Sequence, residues 1–138
     1  MITNTLADKD IPSVAVAHPG FSIFMRNVRQ LPTKNGGTPY HLAPRTVFGI
    51  SRDGRYLHVL IVDGRQPKYS LGATISDLFM MMKAAGADDA INMDGGGSTT
   101  IVYHDVGLNE TYVPNRHKNR NNYRKVGISV GFWFEKKF

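Results

Sequence analysis

A chain of 138 residues with 41% hydrophobic content is long enough for one domain with its own core. It has no cysteine, which excludes disulfides, thiolate nucleophiles and cysteine-bound zinc without choosing a compartment, and no apolar run long enough to span a bilayer. Seventeen Lys and Arg against 11 Asp and Glu leave a formal charge of +6, which suits phosphate-bearing partners and equally suits simple solubility.

The first forty or so residues are poorly periodic: "IPSVAVA" and "FSIFM" are separated by "HPG", and "LPTKNGGTPYHLAP" reads as an irregular loop. The opening segment has no basic stretch followed by a continuous apolar one, so no secretory leader is expected in the sequence as it stands. After Pro44, "RTVFGIS" and "YLHVLIVDG" are β-rich runs joined by "RDGR", whose Asp53-Gly54 pair predicts a hairpin with a two-residue turn. In "ATISDLFMMMKAAG" the apolar positions Ile75, Leu78, Phe79, Met82 and Ala85 share a helical face. Thr74 or Ser76 would be the N-cap and Gly86 the stop, so a helix is predicted over about 74–85, with the "MMM" run filling core. Three short strands are predicted beyond it: "DDAINM", "STTIVYH" and "KVGISVGFWF", the last with Val126, Ile128, Val130 and Phe132 in alternation. The fold class expected is α+β, a mixed and mostly β sheet with the one main helix packed on it.

Chemistry concentrates in "NMDGGGST". Asn92 and Asp94 are two apart on a presumed strand and so share a face, with Ile91 and Met93 pointing to the opposite layer. Gly95, Gly96 and Gly97 lack Cβ atoms, so a ligand can approach the backbone closely and successive amides can form an anion-binding concavity, with Ser98 and Thr99 adding hydroxyls. The bland alternative is a glycine-rich turn in which Asp94 accepts a local hydrogen bond. A phosphate loop of the Walker type is a poor match, since the Lys-Ser/Thr ending and the following helix are missing. "VDGRQ" places Asp63 and Arg65 around Gly64 at another strand end, and Arg45 in "APRTVFG" offers a planar fork for two phosphate oxygens; their ordinary readings are a surface ion pair and a solvent-facing strand-start Arg.

The segments "PRTVFGISRDGRYLHVLIVDGRQ" and "GADDAINMDGGGSTTIVY", over about residues 44 to 103, closely resemble the phosphodiester glycosidase family, which includes enzymes that remove N-acetylglucosamine from sugar-1-phosphodiesters. "YVPN" and "YRKVGISV" are similar to the closing segment of that family, although the "PN" order at Asn115 departs from its pattern. The resemblance implies one phosphodiester-glycosidase-like domain over 1–138, best supported over 44–134. It also implies a part missing at the N-terminus, because a Gly-Gly-Phe-type motif of longer family domains is not found. It implies hydrolysis at an anomeric carbon bearing a phosphodiester, a glycan or sugar-phosphate substrate, and extracytoplasmic or secreted action. In that scheme Asp94 is base, nucleophile or metal ligand and Asp63 the second carboxylate, with a hydrogen-bonded structural role as its equal alternative; Asn92 and Ser98 orient substrate; Arg45, Arg65 and Arg124 hold phosphate beside the Gly95, Gly96 and Gly97 amides; Gln66 and Ser70 meet sugar hydroxyls. A missing N-terminal half or a homo-oligomer would be the completing partner.

A divalent cation such as calcium or magnesium is left open by the hard oxygens of Asp63 and Asp94, whereas EF-hand spacing and a paired-His zinc motif are both lacking. Two other readings compete with the enzyme. A binding domain for sugar phosphates or wall polymers that has lost turnover would keep the same residues. A nucleic-acid-binding module would use the basic run 114–125, with Arg116, Lys118, Arg120, Arg124 and Lys125 between Tyr112 and Tyr123, but would leave "NMDGGGST" without a purpose.

Overall fold

The computed structural model describes residue 2 and residues 18–32, 41–116, 123–127 and 129–133. Five strands form one sheet: β1 (Ser22–Arg26), β2 (Arg29–Gln30), β3 (Arg45–Ile50), β4 (Leu57–Val62) and β5 (Asp89–Asn92), in the spatial order β2-β1-β5-β3-β4 with every pairing antiparallel. A separate two-stranded ribbon pairs β6 (Tyr103–Asp105) with β7 (Glu110–Tyr112). With one α-helix among the described residues, α1 (Ile75–Ala84), the fold is α+β, mostly sheet, as the pattern predicts.

Antiparallel register decides which side chains meet the helix. Val47 lies opposite Asn92 and Gly49 opposite Ala90, so these four share one face with Leu60 and Val62. That face is buried under Ile75, Leu78 and Met82, and together with Phe24, Met25, Ala73 and Ala87 it forms the core. Gly49 is required there, because a Cβ would come within 2.6 Å of Met82 Cε and 2.9 Å of Ala87 Cβ. Of the three consecutive methionines only Met82 fills core; Met80 and Met81 are exposed, being on the far side of the helix, and Ala85 is exposed as its C-cap.

The ends of α1 are set by local chemistry. Thr74 Oγ1 accepts from Asp77 N at 3.1 Å while the Asp77 carboxylate accepts from Thr74 N at 2.9 Å and Thr74 Oγ1 at 2.7 Å, a capping box. At the other end Gly86 takes a φ of +90°, and Gly86 N and Ala87 N donate to Lys83 O and Met82 O, the Schellman pattern. Those Thr74 bonds hold the Asp77 carboxyl below its usual value. A lowered folded-state value means this stabilisation is complete above the unfolded carboxyl value of about pH 4 and fades as pH falls through the folded one. Thr74→Ala is therefore expected to cost about 1 kcal/mol at neutral pH and progressively less towards pH 2, measured by urea unfolding across that range. A loss that stays constant with pH would rule the box out as its source.

Three local expectations are revised. The β3–β4 connection is not a two-residue turn: Ser51 N donates to Tyr56 O at 3.0 Å, leaving Arg52 to Arg55 as a four-residue loop. Asp53 accepts from Ser51 Oγ at 2.6 Å and Arg55 N at 3.2 Å, and these bonds stabilise the wider loop, with Gly54 at φ +70°. "STTIVYH" begins in a 3₁₀ turn, Gly96–Ser98, and becomes strand only at Tyr103, because a side chain, Asn115, occupies the backbone groups of Thr99 and Ile101. The described part of "KVGISVGFWF" is not a strand; alternation states where side chains would point, not whether a neighbour is there to pair. Ile128 lies outside the described residues, as do Lys118, Arg120 and "IPSVAVA", while Phe132 sets its ring edge-to-face on Phe48 at 6.3 Å. Among the described residues no helix is long and apolar enough to cross a membrane.

Candidate active site

Two loops converge because one peptide runs between them. Pro44, just before β3, is flanked by Gly64 from the end of β4 and by Gly95 from the end of β5. A Cβ at Gly64 would come within 2.7 Å of Pro44 N, and one at Gly95 within 2.8 Å of Pro44 O. Gly72 closes on the preceding residue, where a Cβ would stand 2.4 Å from Ala43 C and O. "VDGRQ" and "DGGGS" are thereby held on either side of the same backbone, a proximity that arises from close main-chain packing.

The three glycines of "DGGGS" serve three purposes. Gly95 has an ordinary φ of −132° and is needed for room against Pro44. Gly96 has a φ of +61°, and the Arg65 guanidinium covers it, with Nη1 3.1 Å from where a Cβ would be. Gly97 faces the Arg124 stem, 3.6 Å from its Cδ on the same measure. The expected amide cradle is revised: Gly95 N donates to Asp94 Oδ1 at 2.9 Å and Gly96 N to Pro44 O at 2.9 Å, so one is engaged within the turn and the other by the segment before β3. The positive charge over this loop comes from side chains instead.

Asp94 is exposed, its side chain 56% accessible, and its second oxygen lies 3.5 Å from Arg124 Nη2. Arg124 also donates through Nε to Ser98 Oγ at 3.0 Å, and its Nη2 meets the same hydroxyl, so one guanidinium links Asp94 and Ser98. Arg65 extends from a residue with φ +57° and has no carboxylate partner among the described residues. Arg45 is buried, not solvent-facing: Nε donates to Ala73 O at 3.1 Å and Nη2 to His41 O at 2.8 Å. Its pKa is lowered, first by burial and then by the Arg65 charge, so two like charges are held close enough to repel.

Asp63 differs from Asp94 in being half-buried, with both its oxygens held by residues 115 and 116. Asn115 Nδ2 donates to one at 3.2 Å and Arg116 N to the other at 2.7 Å, while its main-chain carbonyl accepts from Ser70 Oγ at 2.6 Å. Asn115 is the residue sequence reasoning left aside. It also donates to Thr99 O at 3.1 Å and accepts from Ile101 N at 2.8 Å, joining the "VDGRQ" and "GGGST" loops to residues 113–116. The hint in the sequence was the likeness of "YVPN" to the family's closing segment, from which the "PN" order departs. Gln66 Nε2 holds Arg116 O at 2.6 Å, and the Arg116 guanidinium covers the Tyr69 ring at 4.7 Å. Gln66 and Ser70 thus bind their own chain rather than presenting groups to a sugar.

Asn92 is not beside Asp94 on an open face. It lies in the buried helix-side layer, 5% accessible, and its Oδ1 has no partner among the described residues; the same holds for Oγ1 of Thr99, 2% accessible, at the far end of the glycine turn. Two buried polar atoms without partners flank the loop, each costing about 1–3 kcal/mol if left dry. Among the described residues no three His, Asp or Glu side chains come together as a metal would need.

A family profile described as phosphodiester glycosidase matches residues 3–133. No curated protein matches the chain. Among solved structures it is similar to a protein of Burkholderia pseudomallei K96243 described as exported, at 39% identity over 43% of this chain and 11% of that one, TM-score 0.40. It is also similar to a hypothetical protein from Synechocystis, at 20% identity over 56% of this chain and 15% of that one, TM-score 0.46. The chain thus spans between about a tenth and a sixth of the length of these neighbours.

Proposed function

The chain belongs to the phosphodiester glycosidase family, and from that membership we propose that it cleaves a sugar-1-phosphodiester of the N-acetylglucosamine type to free sugar and a phosphomonoester. The observation that carries the reading is Arg65, a guanidinium laid on Gly96 beside the buried Arg45 and lacking a carboxylate partner among the described residues. Cations held together without a neutralising acid suit an anion, and a phosphodiester bound there would relieve their repulsion.

In the proposed step an oxygen nucleophile forms a bond to the anomeric carbon while the bond from that carbon to the phosphate oxygen breaks, and the bonding electrons leave with the phosphate. Arg65 and Arg124 stabilise the charge that grows on the leaving group, so a strong general acid is not needed. Asp94 is the exposed carboxylate positioned to assist the attack, with Arg124 and Gly95 N fixing its orientation. Asp63 is assigned a structural role, because it is half-buried and its two oxygens hold Asn115 and Arg116 N of the 113–116 loop, whereas Asp94 is exposed. The orphan oxygens of Asn92 and Thr99 support a polar guest beneath the loop, a water or a substrate hydroxyl.

Release of free N-acetylglucosamine from a sugar-1-phosphodiester by the purified chain tests the reading. Arg65→Met is expected to reduce kcat/KM by about a hundredfold, the scale of removing one charge-stabilising donor, with the unfolding midpoint little changed. A folded chain that binds the diester without releasing sugar would point to the binding-only alternative.

A further inference from the structure

The β6–β7 ribbon carries apolar surface that the reaction site does not use. Residues 99–115 contain no Lys or Arg, in contrast to the basic run that begins at Arg116. Tyr103 and Tyr112 are direct cross-strand partners, so they lie on one face; their rings are 6.4 Å apart between centroids and 25° from parallel, and they are 56% and 40% exposed. The pair is a broad aromatic shelf. Asp105 and Glu110, the next directly opposed pair but one, occupy the same face, and the Tyr112 hydroxyl is bonded to the Glu110 carboxylate.

The shelf is tied to the reaction site at its root. Ile101 N donates to Asn115 Oδ1 at 2.8 Å, and Asn115 in turn holds Thr99 O and Asp63. Tyr103 is two residues beyond that bridge, about 7 Å of extended chain. Its position relative to the glycine turn is therefore braced on both ribbon strands.

We propose that the Tyr103–Tyr112 shelf binds a sugar ring of a neutral glycan attached to the phosphodiester, which makes the substrate a glycan-bearing diester. This deepens the function proposed above and rests on it. A pyranose ring has an apolar face of axial C–H bonds and a rim of hydroxyls. The first fits an exposed tyrosine face, and the second suits the second oxygens of Glu110 and Asp105, whose first oxygens accept from the Tyr112 hydroxyl and from Gly107 N and Leu108 N. Phosphate finds no cation along this ribbon, so the shelf discriminates in favour of the uncharged part of the substrate while Arg65 and Arg124 take the charged part.

The test is calorimetric titration of the whole chain with phosphate-free cellotetraose, maltotetraose and N-acetylchitotetraose, alongside hydrolysis of a small sugar-1-phosphodiester. Saturable binding of at least one tetrasaccharide is expected, weakened at least about tenfold by Tyr103→Ala or Tyr112→Ala, retained by Tyr103→Trp and unaffected by Asp94→Asn. Tyr103→Ala should leave hydrolysis of the small diester intact. No saturation by any of the three up to about 10 mM overturns the shelf, whatever the hydrolysis result. So does binding that ignores both tyrosine variants, or a dimer in sedimentation that Tyr103→Ala dissociates, since the rings would then be covered by a second copy. Failure to hydrolyse the small diester, with tetrasaccharide binding intact, would instead count against the reaction and leave the shelf standing.

Discussion

Asp94→Asn is expected to reduce sugar release by about a thousandfold or more, the scale set by losing a carboxylate that acts on the reacting atoms. The substitution keeps the shape of the side chain and removes its charge. Gly95 N can still donate to the remaining oxygen, while the 3.5 Å contact with Arg124 loses its electrostatic part. Because the side chain is 56% accessible, the unfolding midpoint should move by no more than about 0.5 kcal/mol, the ordinary range for surface changes. Asp63→Asn should behave in the opposite sense. It leaves Arg116 N or Asn115 Nδ2 without its acceptor, and so loosens the 113–116 loop and lowers stability before it touches chemistry. Parallel assays and unfolding curves of the two variants decide the assignment. Full activity in Asp94→Asn together with a dead but well-folded Asp63→Asn would exchange the two roles.

Gly72→Ala is expected to cost about 3–5 kcal/mol, adding the strain of a backbone that side chains rarely adopt to an overpacking clash that cannot relax. Gly72 has a φ of +109°, and its absent Cβ would overlap Ala43 N, C and O at 2.6, 2.4 and 2.4 Å. Those are main-chain atoms, flanked by a bridge in which Ala73 N donates to Ala43 O at 3.0 Å, so neither side can retreat. Gly54 supplies the control, since it also has a positive φ, +70°, with open space around the Cβ position. Gly54→Ala should therefore cost only the backbone part, about 1–2 kcal/mol. Denaturant unfolding of both variants separates clash from strain. Equal losses would mean that Ala43 and Gly72 do not cross as closely as described.

Much of the secondary structure was readable from local chemistry. The helix is specified by the spacing of Ile75, Leu78 and Met82 and by the stop at Gly86, and the β3–β4 pair by two β-branched and aromatic runs around Asp53-Gly54. These signals involve residues within a few positions of each other, so the sequence contains the whole cause. The loop within that hairpin was misjudged because Ser51 and Asp53 compete for its backbone through side-chain bonds, which a dipeptide rule does not weigh. The last predicted strand shows the limit of periodicity, since pairing needs a partner strand that no local pattern names.

The site divides along the same line. Sequence alone pointed to Asp94, the three glycines and Arg65 as candidates for one site, and the fold does bring the Arg65 guanidinium onto Gly96. Tertiary structure alone decided which of them are exposed and which are buried. Asn92 is buried because the register of β5 on β3 turns it to the helix side, and Arg45 is committed to carbonyls of Ala73 and His41. The sequence ranked Asp94 before Asp63 and left a structural role open for the latter; the contact that ties Asp63 down comes from Asn115, 52 positions away, while Asp94 stays exposed. Hydrogen bonds formed across such distances depend on how the chain returns on itself, and for that reason the different settings of the two acids arise only when the fold closes.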